Sequence, residues 1–287
     1  MRGMAVDLPA SPLVSTTWLE DHLGAAGLCV VDVRGAVLPP GTPAPRYRAK
    51  RDDSLLDWTK DIVDEGDPIP SQLAPPEVMQ ANLERLGIGD DCAVVAYDDY
   101  SHVFAGRLRW ALRAYGHDRV RILDGGFATW KREGRPLTDV VPSPPPARFT
   151  PRPVKALRKT ADEVAAALSR GALLIDARAP EQFAGEVSAA ARAGHIPTAR
   201  NVPYGTLVQG SERAFRSPEE LRAAFRNAGV DLDALPEEVI VYCNGGITAT
   251  VPLTALNLLG VDRVALYDGS WNEWGNDPTR PIEPAAP

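Results

Sequence analysis

The chain has 287 residues, which at roughly 150 residues per domain makes room for about two domains. Its 44% hydrophobic and 24% charged residues suit a globular protein with a sizeable core and argue against disorder or a collagen-like repeat. The net charge of −7 argues against a generally basic nucleic-acid binder, and no apolar run approaches the roughly 20 residues of a membrane helix.

Met1 to Glu20 holds prolines and acids where a secretory signal would need an apolar stretch, so a cytoplasmic protein is expected. Cys29, Cys92 and Cys243 are far apart and odd in number, and no Cys/His cluster has metal-ligand spacing. Neither a disulfide framework nor a metal or other cofactor is expected. His22, His102, His117 and His195 are equally scattered.

Taken in chain order, the apolar runs come in two sets. Leu28-Cys29-Val30-Val31-Asp32-Val33-Arg34 ends in Asp-x-Arg, as does Leu173-Leu174-Ile175-Asp176-Ala177-Arg178. Val94 to Asp98 matches Val239 to Cys243, and Tyr115-Gly116-His117-Asp118-Arg119-Val120 matches Leu259-Gly260-Val261-Asp262-Arg263-Val264. Leu123-Asp124-Gly125-Gly126-Phe127 matches Tyr267-Asp268-Gly269-Ser270-Trp271. Four landmarks in the same order, about 144 residues apart, define a tandem duplication. The proline-rich stretch Val141 to Arg148 reads as an extended linker. The boundaries expected are 12–140 for the first domain, 141–152 for the linker and 153–283 for the second.

The second copy is the more legible. Thr160-Ala161-Asp162-Glu163 and Ser217-Pro218-Glu219-Glu220 read as capping boxes that open helices, stopped at Gly171 and near Gly229. Strands are expected over 172–176, 238–242 and 263–266, with a helix from about 249 to 259 closed by Gly260. Their continuous Val/Ile/Leu runs demand a parallel sheet covered on both faces. Each copy is therefore an α/β domain, with ligands expected at the carboxyl ends of its strands.

At such an end lies Cys243, followed by Asn244-Gly245-Gly246-Ile247-Thr248-Ala249 and a helix. Two glycines let a loop curl so that its N–H groups face inward as an anion nest, and the helix adds its positive end. Both would favour a thiolate and an anionic ligand. A lone cysteine in this position also reads as ordinary core; the glycine pair favours the functional reading.

These residues carry a resemblance. Cys243-Asn244-Gly245-Gly246-Ile247-Thr248-Ala249 resembles the active loop of tandem-domain rhodanese-type sulfurtransferases, a family that includes 3-mercaptopyruvate sulfurtransferases. Tyr267 to Trp274 is similar to that family's carboxyl-terminal signature, and Gly194-His195-Ile196-Pro197 to its Gly-His-Ile-Pro segment. The resemblance implies two tandem rhodanese-like domains, of which only the second is catalytic. Asp98 stands at the cysteine position of the first copy. The implied reaction moves sulfane sulfur from 3-mercaptopyruvate or thiosulfate through a Cys243 persulfide to a thiol or cyanide acceptor. The implied partners are a small anionic donor and that acceptor, with no nucleic acid, no membrane and a monomeric chain.

The implied substrate-binding set is Asn244, Gly245, Gly246, Ile247, Thr248, Ala249, Arg192, Gln182 and Asp57. Thr248 reads either as a hydroxyl aimed into the loop or as the cap of the next helix. Asp57 lies in Leu55-Leu56-Asp57-Trp58, which matches the family's first-domain segment facing the cleft; Trp58 reads equally as core. Thiosulfate-selective members often have Arg and Lys where Asn244 and Gly245 stand, and members acting on 3-mercaptopyruvate have uncharged residues. Gln182 replaces an arginine common to both groups, and Arg192 is matched to a second one. Arg178 is expected to pair locally with Asp176, and His195 to serve as a structural hydrogen-bonding residue rather than a general base. A non-turnover persulfide carrier is the alternative reading. A cysteine phosphatase is disfavoured because its loop needs an arginine six residues after the cysteine, where Ala249 stands.

Overall fold

The computed structural model describes residues 6–37, 47–49, 56–140 and 143–283. Met1 to Ala5, Leu55 and the linker residues Val141 and Pro142 lie outside the described residues. The chain divides into two compact units. One comprises Met1–Asp64, Leu73–Val154 and Gly210–Ala214; the other Glu65–Gln72, Lys155–Gln209 and Phe215–Pro287.

In the first unit the elements are β1 (Leu13–Val14), α1 (Thr16–His22), β2 (Leu28–Asp32), β3 (Gly35–Val37), β4 (Tyr47–Ala49), α2 (Pro76–Arg85), β5 (Ala93–Tyr97), α3 (Val103–Ala114), β6 (Val120–Leu123) and α4 (Gly126–Arg132). β1, β6, β5 and β2 form a parallel sheet in that order, and β3 pairs antiparallel with β4. Val14, Leu19, Val95, Leu123 and Trp130 make one of its apolar clusters. From residue 143 the chain is strapped along this unit. Arg148 O accepts the Asp90 N–H at 2.9 Å, the Asp90 carboxylate accepts the Thr150 N–H at 2.9 Å, and Tyr115 O accepts the Arg152 N–H at 2.9 Å.

In the second unit come β7 (Arg158–Lys159), α5 (Ala161–Ser169), β8 (Leu173–Asp176), α6 (Pro180–Phe183), β9 (Arg200–Asn201), β10 (Val208–Gln209), α7 (Pro218–Asn227), β12 (Val239–Tyr242), α8 (Thr250–Leu258), β13 (Val264–Tyr267) and α9 (Ser270–Trp274); the short β11 (Ala214–Phe215) precedes α7. The sheet runs β7-β13-β12-β8-β9, again parallel throughout. Strand for strand it repeats the first sheet and adds β9. Both capping boxes form. Thr160 Oγ1 accepts the Glu163 N–H at 3.3 Å while the Glu163 carboxylate accepts the Thr160 N–H at 2.8 Å, and Ser217 and Glu220 exchange the same pair at 3.3 and 3.0 Å. Leu174, Ile240, Tyr242, Tyr267, Trp271 and Trp274 are fully buried around the central strands.

The Asp-x-Arg landmarks have one physical meaning in both copies. At the end of β2, Arg34 Nε and Nη2 both donate to the Asp32 carboxylate, and the guanidinium lies 4.0 Å from the Phe127 ring centroid. At the end of β8, Arg178 makes the same fork to Asp176 at 3.0 and 2.7 Å and lies 4.5 Å from Trp271. These pairs fix the turn leaving each strand beside the central one.

Candidate active site

β12 is buried over all four residues and delivers Cys243 to its carboxyl end, with the side chain 1% exposed. The loop Cys243–Ala249 then feeds α8. Of the glycine pair, only Gly246 needs its freedom for a positive φ, at 71°. Gly245 instead lies in a close approach that a small shift of the Asn272 side chain would relieve. A Cβ there would meet Asn272 Nδ2 at 3.0 Å, with Pro70 O at 3.6 Å and Ser71 Cβ at 3.9 Å.

One side chain that the sequence reading did not single out organises this loop. Ser270 Oγ accepts the N–H groups of Cys243 at 3.2 Å and Gly246 at 3.0 Å, and donates to Tyr267 O at 2.7 Å. Trp271 and Asn272 donate their N–H groups to Cys243 O and Asn244 O at 3.0 and 2.8 Å. Ser270 reaches this position at a φ of 51°, a left-handed conformation costly for serine. The sequence signal was present in part, because Ser270 aligns with Gly126, which also has a positive φ. Among the described residues, the N–H groups of Asn244, Gly245, Ile247, Thr248 and Ala249 meet no protein acceptor. They leave donors in the loop that leads from the thiol to the positive end of α8.

The first copy treats the same loop differently. Asp98 at the end of β5 is 1% exposed. Its Oδ1 accepts the N–H groups of Tyr100 at 2.9 Å and His102 at 3.1 Å, and its Oδ2 those of Phe104 at 2.8 Å and Ala105 at 2.9 Å. Phe127 donates its N–H to Asp98 O at 2.9 Å, as Trp271 does to Cys243 O. The carboxylate occupies its own loop's donors. It takes the place that a bound anion would fill.

The remaining candidates separate clearly. Gln182 on α6 reaches the loop, with its Oε1 accepting from Asn244 Nδ2 at 3.4 Å. Asn244 Oδ1 is buried and without a donor. Arg178 is buried on β8's exit. Burial works against its charge, but Asp176, Tyr242 and Cys243 outweigh that and hold the guanidinium above its usual range. Its Nη1 is buried and unpartnered.

Arg192 is engaged elsewhere. Its guanidinium donates to the carbonyl oxygens of Trp274, Gly275, Asp277 and Arg280, where it clamps the carboxyl-terminal segment rather than facing the loop with free donors. Asp57 belongs to the first unit. Its carboxylate accepts the Thr59 N–H at 3.0 Å and lies 3.6 Å from Lys60 Nζ. Trp58 is 1% exposed and stacks on Phe104 at 4.8 Å between ring centroids, a core placement.

Thr248 does not cap α8. The N-cap position falls on Ala249, whose φ and ψ of −63° and −18° are already helical, and no side chain caps it. His195 has a structural setting. Its Nδ1 lies 2.9 Å from Phe183 O, its ring stacks on Phe183 at 3.7 Å, and its main chain bridges Glu283 in both directions. Among the described residues no group of His, Cys, Asp and Glu has metal-site geometry, and no helix is long and apolar enough to cross a membrane.

Residues 15–133 and 160–277 each match the rhodanese-like domain family. The chain is 35% identical over 279 residues to the sulfur carrier protein TtuD of Thermus thermophilus, covering 92% of this chain and 93% of that protein. Over 286 residues it is 34% identical to the 3-mercaptopyruvate sulfurtransferase of Escherichia coli, covering 94% of this chain and 97% of that one. The crystal structure of SseA from Escherichia coli, a 3-mercaptopyruvate sulfotransferase by its description, matches with a TM-score of 0.78 at 31% identity, over 91% of this chain and 99% of that one. This chain therefore belongs to the rhodanese-like family and carries its domain twice. It is an enzyme of the sulfurtransferase class.

Proposed function

We propose that Cys243 is the nucleophile and that it carries sulfur as a persulfide. The observation behind this reading is the contrast between the two copies: Asp98 fills four N–H groups of its own loop, whereas among the described residues the N–H groups of Asn244, Gly245, Ile247, Thr248 and Ala249 meet no protein acceptor. The Cys243 thiolate attacks the sulfane sulfur of the donor. A sulfur–sulfur bond forms to Cys243 while the donor's bond to that sulfur breaks, and the leaving group departs as pyruvate enolate or sulfite. The N–H groups of Asn244, Gly245, Ile247, Thr248 and Ala249 hold the anionic outer sulfur. An acceptor thiolate or cyanide then takes that sulfur and returns the Cys243 thiolate.

The uncharged pair Asn244-Gly245 favours 3-mercaptopyruvate over thiosulfate. The first copy, 12–140, acts as a scaffold, and 153–283 carries the reaction.

Intact mass after mixing with either donor tests the assignment. One added sulfur, about 32 Da, is expected on Cys243, removable by cyanide and absent in Cys243→Ser. An unmodified Cys243 with both donors would overturn it.

Gln182 supports a second reading, because its carboxamide contacts Asn244 at a position for which the family resemblance implies an arginine. Without that clamp the protein would serve as a carrier loaded by a partner protein. Slow turnover with free donors, together with rapid persulfidation by a cysteine desulfurase, would select the carrier; fast turnover with free donors would dismiss it.

A further inference from the structure

Two thiols that sulfur transfer through Cys243 leaves unused lie together in the first unit. Cys29 is on β2, an edge strand of its sheet, and Cys92 stands one residue ahead of β5. Parallel register pairs Cys29 with Val94, so Cys92, two positions earlier, projects to the same face. The two Sγ atoms are 2.9 Å apart, and they lie 3.5 and 3.4 Å from the same acceptor, Gly87 O. That separation is less than an ångström beyond the ~2.05 Å of a sulfur–sulfur bond. Both residues are half-buried rather than sealed in the core, so a small reagent can approach.

The chemistry of the pair is asymmetric. A hydrogen bond from Cys29 pulls the Cys92 thiol down to about 6, against its burial, and Arg119 assists while Asp91 opposes. The same sharing of a proton, with burial, pushes the Cys29 thiol up. Two thiols in contact, one of them easier to ionise, are suited to be the attacking and resolving partners of thiol–disulfide exchange.

We propose that Cys29 and Cys92 form a reversible dithiol–disulfide site that reacts with low-molecular-weight disulfides. The Cys92 thiolate attacks one sulfur of the small disulfide; a mixed disulfide forms and one small thiolate leaves, taking a proton from water. Cys29 then returns a proton to the water and attacks the Cys92 sulfur. The Cys29–Cys92 bond forms, and the second small thiolate leaves. Each protein sulfur loses one electron, and each sulfur of the small disulfide gains one. The new bond ties the β2 edge to the entry of β5 across a sequence separation of 63 residues. It thereby closes a long loop of the unfolded chain, so oxidation raises the unfolding temperature of this unit by several degrees.

The test uses the full chain carrying Cys243→Ser, which leaves Cys29 and Cys92 as its thiols, incubated with oxidised glutathione and then alkylated. The expected product is about 2 Da lighter than the reduced protein, takes up no alkylating agent, gives one linked Cys29–Cys92 peptide and is restored by dithiothreitol. Cys29→Ser in that background is expected to stop at a glutathione adduct on Cys92. A persistent adduct with both cysteines present, or two alkylated thiols after prolonged oxidation, would overturn the proposal.

Discussion

Ser270 holds Cys243 through the main chain, accepting its N–H at 3.2 Å, and the same oxygen takes the N–H of Gly246 at 3.0 Å. A single hydroxyl therefore spans the loop at its start and middle. Ser270→Ala removes this acceptor and leaves two buried donors unpaired, at a cost of about 1–3 kcal/mol in stability. Sulfur uptake by Cys243 should slow by roughly tenfold or more, with the cysteine still open to small alkylating agents. Denaturant melts and single-turnover persulfidation measure the two effects, and an unchanged uptake rate would remove Ser270 from the positioning role.

Asp98 serves the first unit as a structural anion. Asp98→Ala strips the acceptor from four N–H groups and should destabilise that unit by about 3 kcal/mol or more. Faster amide exchange at Phe104 and Ala105 should accompany the loss, while Cys243 still accepts sulfur. Hydrogen-exchange mass spectrometry reads the first effect and intact mass the second.

Gln182 contacts Asn244, the residue that follows Cys243 in the loop. Gln182→Arg supplies a planar cation suited to a carboxylate or sulfonate. The expected result is a KM lower by roughly fivefold for 3-mercaptopyruvate or thiosulfate, with kcat within about twofold. Steady-state assays on both donors decide, and no change on either would show that this position does not set donor affinity.

His117 should give the first unit a pH-dependent stability. It is buried against Phe149, its Nε2 has no hydrogen-bond partner, and burial lowers its pKa below the ordinary value. The unfolded chain therefore binds a proton at His117 near pH ~6.5, where the folded protein does not. Its contribution is complete above that pH and is lost as the pH falls toward the folded value. Urea midpoints should decline from about pH 7 to about pH 5 in the wild type and decline less in His117→Leu.

The duplication was legible because its landmarks are backbone and turn necessities. Asp-x-Arg marks a side-chain fork at a strand exit, and the capping boxes at Thr160 and Ser217 are purely local. The pairing that fixes the active loop was not legible. Ser270 meets Cys243 across 27 residues, and its acceptor role depends on a left-handed backbone that a serine seldom adopts. Pro70 and Ser71 lie against Gly245, though sequence order assigns them to the first copy. Of the two readings of Thr248 the cap fails, because the N-cap position falls one residue later, on Ala249 in a helical conformation. Nor does the local sequence around Arg192 reveal that carbonyl groups of a segment far later in the chain take its donors.

The self-filled loop of Asp98 has a thermodynamic consequence. An anion carried on the chain is present at a local concentration that does not change with the surroundings, so the first unit draws the same stabilisation from it in starved and supplied conditions alike. The second unit has no such resident. Any anion that binds its loop adds stability by mass action, in proportion to the logarithm of concentration above the dissociation constant. The duplicated halves thus differ as a fixed weight differs from a gauge: one carries its anion at all times, and the other gains stability only from an anion that binds it.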